Sequence, residues 1–70
     1  MPIKNLLKKL LIDENLTITE LLRRVNERHD RKELIQNFDR KINSGTMKFD
    51  EAEEVLDVLG YELVVKKKSD

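Results

Sequence analysis

The segment of residues 34–45 reads LIQNFDRKINSG, and its pattern predicts a short helix with two different faces. At 100° per residue, one side of that helix collects four apolar side chains: Leu34, Ile35, Phe38 and Ile42. The opposite side and its flank collect four polar ones: Gln36, Asn37, Arg40 and Asn43. Gly45 follows, and a glycine can adopt the left-handed conformation that ends a helix. We therefore predict a helix over residues 32–43 with a buried apolar stripe and an exposed polar face.

Two helices are predicted before this segment. The first, near residues 3–14, follows from apolar residues at helical spacing: Ile3, Leu6, Leu7, Leu10 and Leu11. Thr17 and Glu20 then stand three residues apart, as in a capping box, where each side chain accepts a hydrogen bond from the other residue's N–H group. A second, short helix is therefore predicted near residues 18–27.

The connector between the second and third helices is predicted at residues 26–31, which contain no hydrophobic residue. Asp30 is predicted to cap the third helix, because an Asp side chain accepts from the free N–H groups at a helix start. Glu33, three residues later, is its predicted reciprocal partner. His29 is expected to be a solvent-exposed loop residue, because the chain contains no second His and no Cys to act with it.

A fourth helix is predicted near residues 49–59. Its apolar stripe consists of five residues: Phe49, Ala52, Val55, Leu56 and Leu59. Acidic residues fill its first turns, where negative charge interacts favourably with the helix dipole. Gly60 is predicted to end this helix.

Residues 61–66 change the hydrophobic period from 3.6 to 2, which predicts a β-strand. A single strand cannot form a sheet, so the simplest completion is a second copy of the same strand, antiparallel across a two-fold axis. The residues that would form this homodimer contact are Tyr61, Leu63, Val64 and Val65. The alternative is an extended tail packed on the helices.

The composition limits what a chain of 70 residues can do. The predicted fold is mostly α: one helix-turn-helix domain of four short helices over residues 1–66, with a dimerisation strand at 61–66 and a frayed tail at 67–70. The absence of Cys excludes a disulfide framework, a thiolate metal site and a Cys nucleophile, and it is typical of the reducing cytoplasm. No catalytic constellation is present, so we predict no enzyme, no metal, no cofactor and no membrane association.

The formal net charge is zero, yet the charges are unevenly distributed along the chain. Residues 23–48 contain eight basic and four acidic residues, a net charge of +4. Residues 49–70 contain three basic and seven acidic residues, a net charge of −4. This asymmetry favours a basic binding face on the second and third helices. An ordinary solvated surface remains the alternative.

The polar face of the third helix carries side chains suited to base recognition. The donors and acceptors of Gln and Asn match the major-groove edge of adenine, and the donors of Arg match that of guanine. Two short helices joined by a connector, the second ending at Ser44 and Gly45, also have the layout of a helix-turn-helix.

Three segments resemble the phage-repressor-type (Cro/repressor, XRE-like) helix-turn-helix family. Residues 17–25 resemble its first motif helix, residues 36–45 its recognition helix, and residues 49–60 the helix that follows. The resemblance covers about residues 3–60. It implies a sequence-specific DNA-binding transcriptional regulator, repressor-like, whose helix 32–43 enters the major groove of double-stranded DNA.

The resemblance also implies roles for individual residues. The base-reading positions of the family match Gln36, Asn37, Arg40 and Lys41, and its phosphate contacts fall near Arg31 and at Thr46 or Lys48. Together with the face geometry, we assign base readout to four residues: Gln36, Asn37, Arg40 and Asn43. Phosphate contact is assigned to five: Arg31, Lys32, Lys41, Thr46 and Lys48.

Three features depart from the family pattern. Leu22 stands where the family usually has a small residue, the connector after Val25 is longer, and Asp39 adds a negative charge to the recognition helix. A second hypothesis is therefore a protein-interaction module on the same scaffold, for example antitoxin-like, with weak or lost DNA binding.

Overall fold

A computed structural model describes residues 3–69 and contains four α-helices in that range. They are α1 (Ile3–Asp13), α2 (Ile18–His29), α3 (Ile35–Ser44) and α4 (Phe49–Val58). The chain is thus mostly helical with four short helices, as predicted. Met1, Pro2 and Asp70 lie outside the described residues, and with them the start of the predicted domain and the last residue of the predicted tail. Within the described range, no helix is long and apolar enough to cross a membrane.

All four helices contribute to one hydrophobic core. Its buried side chains are Leu7, Leu10, Leu21, Leu22, Val25, Phe38, Ile42, Val55, Leu56 and Leu59. Among these, α2 packs against both α3 and α4, and α1 packs against α3. Phe38 is only 1% exposed and anchors α3 together with Ile42. The apolar side of α3 is therefore held in the core, and its other side faces outward.

The four helices end in the same way, at residues of positive φ that are spaced fifteen apart in the sequence. Each is followed by a residue in the left-handed conformation, with positive φ: Asn15, Asp30, Gly45 and Gly60. The next residue then donates its N–H to a carbonyl five positions earlier, with N···O distances of 2.8 to 3.1 Å. This arrangement satisfies carbonyl groups that a helix end leaves free. The predicted helix ends at Gly45 and Gly60 are confirmed.

The predicted role of Asp30 was wrong. Asp30 has φ 52° and ψ 47° and ends α2, which continues to His29, instead of capping α3. The third helix begins at Ile35, three residues later than predicted, and Leu34 at its N-cap provides no side-chain hydrogen bond. Asp is common at helix starts and, after Gly and Asn, tolerates the left-handed conformation, so its residue type fitted both positions.

The apolar stripes of α3 and α4 are narrower than predicted. Leu34 is 62% exposed and Ile35 is 37% exposed, whereas Phe38 and Ile42 are buried. The shifted start explains this difference for Leu34, because this residue precedes the helix and does not continue its buried face. Phe49, at the start of α4, is 63% exposed, and its helix packs instead through Val55, Leu56 and the following Leu59.

The start of α2 forms half of the predicted capping box. The Thr17 hydroxyl accepts a hydrogen bond from the N–H of Glu20 at 3.2 Å. The Glu20 carboxylate does not reach back to Thr17 among the hydrogen bonds of residues 3–69; it accepts from Arg23 and Arg24. The hydrogen bond with Arg23 is the main cause that lowers the pKa of Glu20 to about 2.

Residues 61–69 have no regular secondary structure within this single chain. Tyr61 and Leu63 are about two-fifths exposed, and Val64 and Val65 are more exposed still, Val65 at 95%. The segment therefore does not pack as a covered tail on the helices. Pairing of this segment with a second copy stays a prediction.

Candidate nucleic-acid interface

The outward side of α3 holds the four residues to which base readout was assigned. Gln36, Asn37, Arg40 and Asn43 are all exposed, and Phe38 and Ile42 on the opposite side fix the helix in the core. The side chains of Gln36, Asn37 and Arg40 form no hydrogen bond or ion pair with any other part of residues 3–69. Asn43 donates one N–H to the carbonyl of Asp39 at 3.0 Å, which leaves its amide oxygen free. The helix thus presents amide and guanidinium groups to solvent.

The end of α3 orients one predicted phosphate contact. The Ser44 hydroxyl donates to the carbonyl of Arg40 at 2.7 Å, and its oxygen lies 2.8 Å from the hydroxyl oxygen of Thr46. The N–H of Thr46 donates to the carbonyl of Lys41 at 3.1 Å as part of the helix end. Thr46 is exposed. Because its N–H is already used at the helix end, its side chain is the group available to a ligand.

Arg31, another predicted phosphate contact, is held by α4. Its guanidinium forms a two-pronged ion pair with Glu54, in which Nη2 lies 2.7 Å from Oε2 and Nε bonds Oε1. This hydrogen-bonded pair raises the pKa of Arg31 and lowers the pKa of Glu54. Two parallel hydrogen bonds between planar charged groups fix the guanidinium firmly. Arg31 therefore points at a carboxylate of its own chain.

Lys41 is held in the same way, between two carboxylates. Its Nζ lies 2.6 Å from Glu51 Oε2 on α4 and also bonds Glu33 in the observed connector of residues 30–34. These hydrogen bonds raise the pKa of Lys41, and the bond from Lys41 lowers the pKa of Glu51. Lys41 lies on α3 about 60° from Phe38 in helical projection, so its side chain reaches α4 and leaves the outward face.

The uneven charges of the sequence therefore largely neutralise each other across the fold. Arg28 pairs with Asp57 at 3.0 Å, which adds a third ion pair between the basic segment and α4. Arg23 and Arg24 pair with glutamates of α2 itself. Of the eight basic residues in 23–48, three form no ion pair within residues 3–69: Lys32, Arg40 and Lys48. Lys32 lies three residues before α3, Arg40 lies on α3, and Lys48 is the N-cap of α4.

The expectation that His29 is a solvent-exposed loop residue was wrong. It occupies the last turn of α2 with its side chain only 25% exposed. Its Nε2 is buried and lies 3.4 Å from Asp57 Oδ2, without hydrogen-bond geometry. The side chain fits there because α2 is two residues longer than predicted and reaches α4.

A surface cavity of about 510 Å³ lies between the end of α2, α4 and residues 61–63, and none of the predicted DNA-binding residues lines it. Its lining includes five carboxylates: Asp50, Glu53, Glu54, Asp57 and Glu62. Such a lining repels phosphate groups. No group of three or more metal-ligating side chains is arranged to hold a metal ion in the described part of the chain.

The connector is ordered by residues that the sequence did not single out. The side-chain amide of Asn26 donates to the carbonyl of Glu33 at 3.1 Å and accepts from the N–H of Glu33 at 3.2 Å. The carbonyl of Asn26 also accepts from the N–H groups of Asp30 and Arg31. No one-dimensional pattern marks such an Asn, because its partner lies seven residues away across a non-helical segment.

Two departures from the resembled family have different structural outcomes. Leu22 is buried in the core at 5% exposure, so the fold accommodates the larger side chain. Asp39 is exposed on α3 next to Arg40, so its charge faces any ligand that approaches this helix. Comparison of the chain with protein-family models, curated proteins and solved structures gives no match.

Proposed function

We propose that the chain is a sequence-specific DNA-binding regulator that inserts α3 into the major groove of double-stranded DNA. The observation that carries this proposal is the outward face of α3, where Gln36, Asn37, Arg40 and Asn43 are exposed on a helix anchored by Phe38. Amide side chains pair with adenine, and an unpaired guanidinium can donate two hydrogen bonds to guanine. Lys32 and Lys48 flank this helix with free positive charge for phosphates. Such a regulator would act in the cytoplasm.

A binding-site selection experiment tests this proposal directly. The purified chain is incubated at low salt with a random-sequence duplex library, and bound DNA is recovered and sequenced through several rounds. We expect enrichment of one DNA motif that contains both adenine and guanine at fixed positions. Recovery of DNA without any enriched sequence would contradict sequence-specific recognition.

The variant Arg40→Ala tests whether α3 is the helix that recognises the bases. On the selected site we expect a loss of about 1–3 kcal/mol, together with relaxed preference at one guanine position, because a bidentate contact is removed. Arg24→Ala is the matched control, since it removes the same charge from an arginine that pairs with Glu20 on α2. Fluorescence anisotropy titrations measure both variants. Equal losses for the two would show that only total charge matters.

We further propose that residues 61–66 pair with the same segment of a second copy, which makes a homodimer. The supporting observation is that the apolar side chains of this segment, above all Val64 and Val65, stay exposed in the single chain. A two-fold dimer would present two copies of α3 to a palindromic site about one helical turn apart. The two-fold symmetry of the enriched motif tests this arrangement.

A protein-interaction module is the second candidate function. Leu34 and Ile35 are exposed beside the polar face of α3, where apolar contacts favour a protein surface over DNA. The ion pairs of Arg31 and Lys41 also reduce the positive charge available for phosphates. A gel-shift against random-sequence DNA at low salt separates the two, because an interaction module that has lost DNA binding would show no shifted band.

A further inference from the structure

The hydrogen bonds of Asn26 join the end of α2 to the entry of α3. Its carbonyl holds the start of the connector through Asp30 and Arg31, and its side-chain amide holds the end through both backbone groups of Glu33. Two hydrogen bonds in one amide plane fix the position of the bound segment and its direction. Asn alone has a donor and an acceptor in one plane at this reach, because Asp lacks the donor and Gln is one methylene longer.

The segment that Asn26 holds leads immediately into α3. The carbonyl of Leu34, the next residue after Glu33, accepts the first helical hydrogen bond of α3 from the N–H of Phe38 at 3.0 Å. The Glu33 carboxylate in turn bonds Lys41, one helical turn from the end of α3, and Lys41 continues to Glu51 on α4. Glu33 is therefore held through its backbone by α2 and through its side chain by α3.

We infer that Asn26 is the positioning residue of the DNA-reading helix: it sets the place and the direction at which α3 leaves α2. The consequence of this inference rests on the proposed function: if α3 reads DNA, the placement by Asn26 brings the amide and guanidinium groups of α3 into register with the base edges. Without such a clamp on the connector of residues 30–34, α3 would be held by Phe38 and Ile42 in the core and by the ion pairs of Lys41. These contacts act on the side chains of α3 beyond its first turn, whereas the hydrogen bonds of Asn26 act on the backbone directly before the helix begins.

The variant Asn26→Ala tests this inference, with Asn5→Ala as the matched control. Asn5 is an exposed residue within α1, so both changes replace a helical Asn by Ala and gain the same helix propensity. Residual dipolar couplings give the angle between α2 and α3, and amide hydrogen exchange gives the protection of the Glu33 N–H. Affinity for the selected site relative to random DNA is measured on the same samples.

In Asn26→Ala we expect the angle between α2 and α3 to change by more than about 10°. Exchange at the Glu33 amide should accelerate on the order of tenfold, because a hydrogen bond of ordinary net strength is lost. The ratio of specific to non-specific DNA affinity should fall by about tenfold while non-specific affinity stays within about twofold. A merely structural role would weaken both affinities alike.

A second variant, Asn26→Asp, keeps the acceptor for the Glu33 N–H and replaces the donor by a carboxylate oxygen that repels the Glu33 carbonyl, so it should also change the helix angle and tests the inference even if Asn26→Ala does not fold. An unchanged helix angle and an unchanged Glu33 amide in a folded variant would overturn the inference. If the unmodified chain selects no DNA sequence, the proposed function fails, and the angle and the exchange rate still decide the positioning role.

Discussion

Asp30 is the one charged residue at a left-handed helix end in this chain, within residues 3–69. Its φ of 52° is costly for a residue with a Cβ atom, and glycine adopts the same conformation without strain. The variant Asp30→Gly should therefore raise the free energy of unfolding, by up to about 1 kcal/mol. Urea denaturation followed by circular dichroism measures the change.

The sign of this change distinguishes the two roles of Asp30. If Asp30 were instead the N-cap of α3, its replacement by Gly would lower the free energy of unfolding by a few tenths of a kcal/mol. Asp13→Gly is the control, because Asp13 is the last helical residue of α1 and Gly is unfavourable within a helix by about 1 kcal/mol relative to Ala. A destabilised Asp30→Gly variant would contradict the observed backbone conformation.

Asp39 is the acidic residue beside Arg40 on α3. Its exposed carboxylate should repel phosphates, so Asp39→Asn should tighten DNA binding, most clearly at low salt, where screening is weak. Anisotropy titrations at two salt concentrations measure the effect. Glu62→Gln, which removes one negative charge at the acidic cavity, is the control, and an equal gain in both variants would assign the effect to net charge.

At the scale of the elements, α4 is joined to α2, the connector and α3 by ion pairs. The pKa of Glu51 and the pKa of Glu54 lie below the ordinary value of 4.5 in the folded chain, because Lys41 and Arg31 donate hydrogen bonds to these carboxylates. The unfolded chain therefore binds protons at higher pH than the folded chain does. The stability that these pairs contribute is fully present above about pH 5.5 and is lost as pH falls through the folded pKa values.

The variant Glu54→Gln should show this dependence in thermal melts between pH 7 and pH 3. At pH 7 it should cost about 1 kcal/mol or less, since the pair with Arg31 is partly exposed. On acidification it should lose less stability than the unmodified chain, so the difference between the two curves should shrink as pH falls. Glu53→Gln, an exposed neighbour on α4, is the control, and parallel curves for Glu54→Gln and the unmodified chain would contradict the assignment.

At the scale of the whole molecule, the homodimer depends on the exposed segment after Gly60. Burial of an apolar side chain stabilises by roughly 1.5–3 kcal/mol, part of which is offset by the entropy of association. The chain truncated after Gly60 should be monomeric and retain its helix content, whereas the intact chain should be a dimer at micromolar concentration. Sedimentation equilibrium and circular dichroism measure the two properties.

Within the intact chain, Val64→Pro removes one backbone donor and should have the same effect as truncation. Val64→Thr is the control, because it keeps the N–H group and the β-branched shape of Val64. A monomeric intact chain at high micromolar concentration would contradict both the dimer and the two-half-site arrangement.

Hydrophobic spacing and helix-ending residues were sufficient to predict four helices and most of the core. Gly45 and Gly60 could be predicted as helix ends because few other residues adopt a positive φ easily. Asp30 could not, since its residue type is equally common at helix starts. The wrong prediction that Leu34 is buried followed from that one error. The observed helix starts three residues later than predicted, so Leu34 precedes α3 and does not belong to its buried face.

The polar face of α3 could also be predicted from spacing alone, since Phe38 and Ile42 determine which side is buried. The partners of Arg31 and Lys41 could not. A count of charges along the sequence gives the sum for each segment, whereas the pairing with Glu54 and Glu51 depends on how α4 packs against the other helices. The clamp of Asn26 on Glu33 depends in the same way on the path of a non-helical connector.

The ion pairs formed by the carboxylates of α2 and α4 have a consequence for the thermodynamics of any DNA complex. Each phosphate neutralised by a protein cation releases bound counterions, which adds about 0.9 to the dependence of log affinity on log salt concentration. With all eight basic residues of segment 23–48 on phosphates, a dimer would have a slope of about 14, whereas Lys32 and Lys48, the unpaired cations not assigned to base readout, give about 4. The carboxylates of α2 and α4 thus act as built-in counterions, and a larger share of the affinity is left to contacts that distinguish one base from another.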